Sequence, residues 1–457
     1  MPRPAFRLEK DSLGTHPVPA RAYYGVQTQR AVENFPISGQ HARPSLIEAY
    51  GHLKAAAARA NAELKTLPAR LARPIVRAAE EVAAHHWDAE FPVDVYQAGA
   101  GVSFHMNVNE VIANRAGELL GDRLGSYRHI HPNDHVNYGQ STNDTYPSAL
   151  RIAAVLEFEP LLTAVAETAR TLRAKGRQFD RILKAGRTHL QDAAPIRLGQ
   201  EFQAYGTALA QCHAELRRAQ DGLLELGLGG SAVGTGLNTH PRFQARALLH
   251  LRRATGHRWR AAADLRAAMQ SQHAIAVASG ALRNLALELI RISNDLRLLS
   301  SGPMTGLHEI DLPALQPGSS IMPGKVNPVL PEMLAMVAFQ VVGNDVAVAL
   351  AVQAGQLELN VMMPAMAHAL LHSAGILTAA LGVFTTGCVA GITANPERCR
   401  HYAAATLAQA AALNPFIGYA RAAELVKEAL ATGRPLLELA RVHRLLPEAA
   451  LRRLLRP

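Results

Sequence analysis

The sequence predicts an all-α, mainly helical protein built around a bundle of five long helices, and three observations carry that prediction. Ile275, Ala278, Leu282, Leu285, Leu289, Ile292, Leu296 and Leu299 recur at alternating three- and four-residue steps, the spacing of a helix that buries one continuous seam. Segments 148–176, 198–226, 331–356 and 363–393 are similarly long, rich in helix-forming residues, and separated by connections that carry Gly and Pro. Strand signals are sparse along the whole chain, so helices have to supply the core.

The elements group into three domains. Residues 1–140 mix Pro and Gly punctuation with short helical stretches such as 45–65 and a His-rich segment before Gln140, which predicts a compact, mostly helical first domain. Residues 141–394 have the texture of long Ala-, Leu- and Arg-rich helices and form the predicted central bundle domain. Beyond Thr393-Ala394-Asn395-Pro396 charge returns, and shorter helices make a small C-terminal domain over 395–457. With 49% of 457 residues hydrophobic, the chain has enough apolar side chains for a large core. Helices this long and apolar bury surface against other copies of the chain as well as their own neighbours, so a homo-oligomer is expected.

Composition removes several function classes. Cys212, Cys388 and Cys399 are odd in number, far apart and in no CxxC pair, which argues against a disulfide framework or a zinc site and for a reducing cytoplasm. Residues 1–10 have scattered charges and no apolar run of the kind a secretory leader needs. From Val361 to Pro396 there is no Asp, Glu, Lys or Arg. Pro364, His368, His372, Ser373 and Gly375 within it, and the lack of basic flanks and aromatic belts, suit a helix buried on all sides in a bundle better than a membrane span. The net charge of +10 comes from forty arginines and seven lysines spread along the chain, with no basic run interleaved with aromatics. Neither nucleic acid nor a membrane is therefore an expected partner.

Three motif-like features resolve to bland readings. The run Gly227-Leu228-Gly229-Gly230 to Gly236 follows a helical segment rather than a strand, so it reads as a flexible loop between helices and not as a dinucleotide site. Gly318 to Val326 has five residues between its two glycines where a phosphate-binding loop has four, and Val326 where such a loop has Ser or Thr. His129, His131 and His135 have metal-like spacing but no accompanying ligand cluster, so they read as a polar turn.

Three other segments are dense in small hydrogen-bonding residues: Gly139-Gln140-Ser141-Thr142-Asn143-Asp144, Gly186-Arg187-Thr188-His189-Leu190-Gln191-Asp192, and Gly318-Ser319-Ser320-Ile321-Met322-Pro323-Gly324-Lys325-Val326-Asn327. Each alone could be a helix cap. Together they supply the parts for removing a proton beside a carboxylate, which creates a doubly charged enediolate and needs several preorganised donors. Ser141, Thr142 and Asn143 suit that role, while Lys325 and Asn327 suit a second carboxylate. Two candidates exist for the base, His189 and a serine. A serine must be stabilised as its alkoxide by backbone amides and Lys325, and Ser319, in a Gly-flanked loop able to close over substrate, is placed for that.

GSSIMPGKVNPV at 318–329 resembles the signature of the fumarase/aspartase superfamily, and the resemblance extends over nearly the whole chain: LGTHPVPARAYYGVQTQRAVENF from Leu13, HPNDHVN from His131, QSTNDTYP from Gln140, GRTHLQDAAP from Gly186 and LNPFIGY from Leu413. Tyr24-Gly25-Val26, Ser141-Thr142-Asn143 and Leu413-Asn414-Pro415-Phe416 are similar to the aspartate ammonia-lyase branch more than to the class II fumarases. The resemblance implies a homotetramer with a twenty-helix core and active sites shared by three subunits. It implies Ser319 as the base that takes the Cβ proton, Ser141 and Thr142 on the β-carboxylate, and Thr188, Lys325 and Asn327 on the α-carboxylate. Asn143 and His189 would face the amine, Ser320 would line the same pocket, and Glu332 would orient the motif histidine. No cofactor or metal site is implied, and activation by a divalent cation such as Mg2+ is left open.

The implied reaction is the reversible deamination of L-aspartate, a small dicarboxylate, to fumarate and ammonia. Alternatives are a related lyase on a substituted aspartate, a fumarate hydratase, and a catalytically silent tetramer, the last opposed by the intact Ser319, Lys325, Asn327 and His189. Two departures from the family pattern bear on specificity. Val102 replaces a threonine that contacts substrate, and His105 stands where Asn is usual, so both belong to the candidate substrate-binding set. Met304 follows Gly302-Pro303 where an arginine is common.

Overall fold

A computed structural model describes residues 6–454 and is helical through most of that length. Residues 1–5, half of the segment read for a leader, and 455–457, the end of the predicted C-terminal domain, lie outside the described residues.

The described chain opens with a β-hairpin of β1 (Phe6–Asp11) and β2 (Gly14–Pro19). Four helices follow: α1 (Val26–Asn34), α2 (Pro44–Glu63), α3 (Ala69–Ala83) and α4 (Val102–Glu118). The long α5 (Thr142–Gln178) leads into a second hairpin, β3 (Leu183–Thr188) and β4 (Gln191–Arg197), and then α6 (Leu198–Leu223). Next come α7 (Phe243–Thr255), the short α8 (Leu265–Gln270), α9 (His273–Leu299), α10 (Val329–Gln353) and α11 (Met363–Gly387). The chain ends in α12 (Pro396–Ala405), α13 (Ala410–Ile417), α14 (Tyr419–Thr432), α15 (Leu436–Val442) and α16 (Glu448–Leu454).

All five predicted long helices are present as α5, α6, α9, α10 and α11. Every seam residue of α9, from Ile275 to Leu299, is buried, none more than 6% exposed. Helix α5 begins six residues earlier than the apolar pattern suggests, because a capping box starts it. The Ser141 Oγ accepts the Asn143 N–H at 3.2 Å and the Asp144 carboxylate accepts the Ser141 N–H at 2.9 Å. Pro44 at the first turn of α2 and Asn395 capping α12, with Pro396 behind it, use the same start signals.

The chain forms two compact units, and each boundary falls inside one of the five long helices. One unit comprises Met1–Leu162, Ala214–Asn284 and Phe339–Leu377. Its core includes Tyr50 of α2 against Phe104 of α4, with ring centroids 5.7 Å apart, and against Tyr146 of α5 at 6.1 Å. Here α2 and α3 approach so closely that a Cβ on Gly51 would lie 2.5 Å from the Ala83 nitrogen. The other unit comprises Thr163–His213, Leu285–Ala338 and Thr378–Pro457. It holds the β3–β4 hairpin and a C-terminal cluster of Leu413, Leu425, Leu436, Leu439 and Leu451.

One expectation needs correction. The charge-free helix α11 is not buried on all sides: 44% of its most apolar window is buried, and for α10 the figure is 28%. Met336, Phe339, Val346 and Leu350 of α10 and Val383 of α11 are more than half exposed. A single chain has too few elements to cover both faces of helices that are apolar all round.

Candidate active site

In the first unit the polar triplet forms the N-terminal turn of α5, where unpaired backbone N–H groups and the helix dipole favour anions. Asp144, fully buried, anchors that turn. Its carboxylate accepts from Ser141 N and from Gly229 N at 2.8 Å. Asn143 donates Nδ2–H to the Ala232 carbonyl at 2.8 Å. The Gly-rich run is thus not a loose loop: Gly227 to Ser231 are buried, bonded back to the head of α5, and folded by internal turns such as Gly234 N–H to Gly230 O at 3.0 Å.

Behind the triplet lies a buried polar cluster. Lys54 of α2 is fully buried, with Nζ 2.7 Å from His105 Nε2, 3.1 Å from Asn137 Oδ1 and 3.0 Å from Gln140 Oε1. The other ring nitrogen of His105, Nδ1, lies 2.7 Å from Thr142 Oγ1. Burial pushes the Lys54 pKa down to about 7, and burial followed by the Lys54 charge pushes His105 well below its usual range. Burial also raises Asp144 to about 6, against the backbone bonds that favour its charged form. His105 is 1% exposed, so the structure places it behind Thr142 rather than at the surface of a pocket. Val102, the first residue of α4, is 42% exposed.

In the second unit, Thr188 and His189 sit at the tip of the β3–β4 hairpin. His189 and Leu190 form the two-residue turn with φ of 55° and 59°, the left-handed conformation that the tight turns of hairpins demand. The hairpin stem is fixed by a buried charge network. Glu309 pairs with Lys184 at 3.0 Å and Arg187 at 3.0 Å, and Lys184 also meets Glu201 at 2.6 Å.

The loop at 318–327 is tied at its base: Gly318 N donates to Lys325 O at 2.8 Å, and Asn327 Nδ2 donates to Gly318 O at 2.7 Å. A Cβ on Gly318 would lie 2.7 Å from the Lys325 carbonyl oxygen, so only glycine permits this closure. Within the loop, Ser319 Oγ accepts two backbone N–H bonds, from Met322 at 2.9 Å and Ile321 at 3.2 Å. Ser319 and Lys325 border an open cleft of ≈ 490 Å³. Glu332 lies 4.0 Å from Arg297. Met304 is 86% exposed.

The structure therefore brings Ser141, Thr142, Asn143 and His105 together in one unit. In the other it exposes Thr188, His189, Ser320 and Lys325, whose side chains have no hydrogen-bond partner among the described residues. His129 Nδ1 is held by Asp122 at 2.7 Å, and His135 Nδ1 accepts the His131 N–H at 2.8 Å. Among the described residues no three His, Cys, Asp or Glu side chains gather as a metal site. Sequence reasoning missed Lys54 altogether, and did not see Asp144 as the anchor of the site. The available signal was a lone lysine inside the run Leu53 to Ala58 of an arginine-rich chain.

Two family matches bear on this arrangement. Residues 14–343 match the family described as Lyase, and 410–457 match the Fumarase C C-terminus. The chain belongs to the fumarase/aspartase superfamily. This lyase is 48% identical to an aspartate ammonia-lyase of Pseudomonas fluorescens over 99% of its own length and 95% of the relative. It is also 48% identical to a class II fumarate hydratase of Thermus thermophilus, over 93% of its own length and 92% of the relative. Its fold matches a Brucella melitensis fumarate lyase:delta crystallin bound to cobalt, with a TM-score of 0.95, 46% identity and coverage of 99% of this chain and 98% of that one. A class II fumarase from Schistosoma mansoni aligns with a TM-score of 0.95 at 36% identity, over 99% of this chain and 98% of that one. The superfamily fold, mainly helical as expected, thus carries all three polar segments.

Proposed function

We propose that this lyase reversibly deaminates L-aspartate to fumarate and ammonia, with Ser319 as the base. The carrying observation is the pair of backbone N–H groups on Ser319 Oγ. A serine alkoxide is too basic to persist without such donors, and two amides already aimed at the oxygen supply them without reorganisation. Ser319 takes the Cβ proton, and the electron pair moves into the β-carboxylate as an enediolate. Ser141 and Thr142 at the head of α5 hold that group. The pair then returns to form the C=C bond as the C–N bond breaks and ammonia departs from beside Asn143 and His189. Thr188, Lys325, Asn327 and Ser320 hold the α-carboxylate, and Asn327 keeps one amide N–H free for it after bonding Gly318.

The site is completed by other copies of the chain. The exposed apolar faces of α10 and α11 call for cover, and Asn344 and Asp345 within α10 make lipid a poor candidate. Bundling with identical chains in a homotetramer covers them and brings partners to the exposed Thr188, His189 and Lys325. Glu332 would meet the motif histidine in that assembly. The three cysteines are free and buried, as suits a cytoplasmic protein. No metal or organic cofactor enters the proposed steps, and chelation of Mg2+ tests whether a divalent cation activates them.

Overall identity does not separate deamination from hydration, since relatives of both names stand at 48%. The aspartase-like Ser141-Thr142-Asn143 favours deamination. Val102 favours a second reading, a substituted aspartate, because it cannot donate to a carboxylate or amine where threonine can. Fumarate offered with ammonia, with amines and with water distinguishes the readings: product with ammonia supports deamination of aspartate. Product with water alone contradicts it. On the second reading, Val102→Thr shifts preference toward aspartate; an unchanged preference counts against it.

A further inference from the structure

The buried cluster behind Thr142 fixes the direction of the hydrogen bonds around Lys54. Gln140 donates its amide N–H groups to the Val136 and Tyr138 carbonyls, and Asn137 donates its own to the Gln140 carbonyl. Gln140 Oε1 and Asn137 Oδ1 therefore face Lys54 as acceptors. Lys54 has three close partners, the two amide oxygens and His105 Nε2, and below its pKa of about 7 it is an ammonium group with three hydrogens and no lone pair. Asn109 Nδ2, also only a donor, lies 3.3 Å from the same Nε2. Thr145 Oγ1 stands 3.4 Å from it but gives its hydrogen to the Ser141 carbonyl at 2.7 Å.

His105 Nε2 is thus an acceptor, and in a neutral imidazole the single N–H is then on Nδ1. Burial and the Lys54 charge keep the ring neutral, and Tyr50, stacked at 5.6 Å and 21°, holds its plane. The Nδ1–H donates to Thr142 Oγ1. A hydroxyl that accepts on this side has no acceptor there for its own hydrogen.

We propose that His105 is a positioning residue: through its Nδ1–H it holds the Thr142 oxygen so that the Thr142 hydroxyl hydrogen is presented outward, as a donor to a substrate carboxylate. The inference rests on the reading above that Thr142 meets a dicarboxylate. It gives His105, which stands where the superfamily usually has Asn, a part in binding without contact: Lys54 sets the tautomer, the tautomer sets the hydroxyl, and the hydroxyl meets the anion.

The test is a double-mutant cycle on the full-length protein at about pH 6, where Lys54 is charged, with succinate, an unreactive dicarboxylate, titrated calorimetrically and folding followed by thermal melting. Thr142→Val and His105→Phe each weaken succinate binding about tenfold, the worth of one hydrogen bond to a charged group. The double variant is no weaker than either single. His105→Asn, which offers an amide donor at the same distance along the side chain, recovers most of the loss. Should His105→Phe fail to fold, His105→Asp takes its place: it has the shape of Asn but only acceptors, so it turns the hydroxyl back. Its loss must then vanish in the Thr142→Val background. Losses that multiply, a His105→Phe protein that binds like wild type, or no succinate binding by the wild type each overturn the proposal. Aspartate turnover is measured in parallel. No turnover with an intact cycle removes the deaminase reading alone, whereas turnover with a multiplicative cycle removes the relay alone.

Discussion

Lys54 and Ser319 show how much a single residue can carry here. Lys54 is buried in an alanine-rich helix, and burial holds its pKa at about 7, below the 10.5 of an exposed lysine. Between those two values the unfolded chain binds a proton that the folded chain releases, so folding stability rises with pH through that window. The cost of the buried charge is fully present below it. The slope contributed is at most about 1.4 kcal/mol per pH unit. Denaturant midpoints measured across this range should show it, and Lys54→Met should flatten it; an unchanged slope would mean that Lys54 stays charged throughout. Ser319→Ala removes the proposed base without touching Lys325 or Asn327. Its kcat should fall by about 10²–10⁴-fold while succinate binding persists, and a parallel loss of binding would assign Ser319 to substrate recognition.

At the scale of elements, legibility followed how local the cause was. The α9 seam was readable because a heptad pattern is a property of one segment, and every residue in it is buried. Leu289→Ala should accordingly cost about 2–5 kcal/mol in chemical denaturation, and a cost under 1 would show that the seam repacks. The head of α5 was readable as a run of cap-forming residues, but its anchor Asp144 was not, because its partner Gly229 is distant in sequence. The β3–β4 hairpin gave no signal: His189 and Leu190 adopt the left-handed turn without the Asn or Gly that announces one. Thr188 and His189 were therefore found by motif and not by geometry. The exposure of α11 was misjudged because a charge-free segment says that a helix will be covered, not by what.

For the whole molecule, the proposed assembly makes covering α10 and α11 and completing the site one event. Phe339→Glu, which places a charge on the exposed face of α10, should break the assembly into smaller species in sedimentation and abolish turnover with it. A smaller species of full activity would show that one chain suffices. The net charge of +10 favours the approach of an anion such as the proposed dicarboxylate. The central claim is that the Ser319 loop removes a proton beside a carboxylate and so expels ammonia from aspartate. Its most direct test is the appearance of fumarate, followed by ultraviolet absorbance, when the assembled protein is given L-aspartate at about pH 6 to 9, with Ser319→Ala as the blank. Fumarate should form with the wild type and not with the variant. No fumarate at any pH, or equal rates from both proteins, would contradict the account.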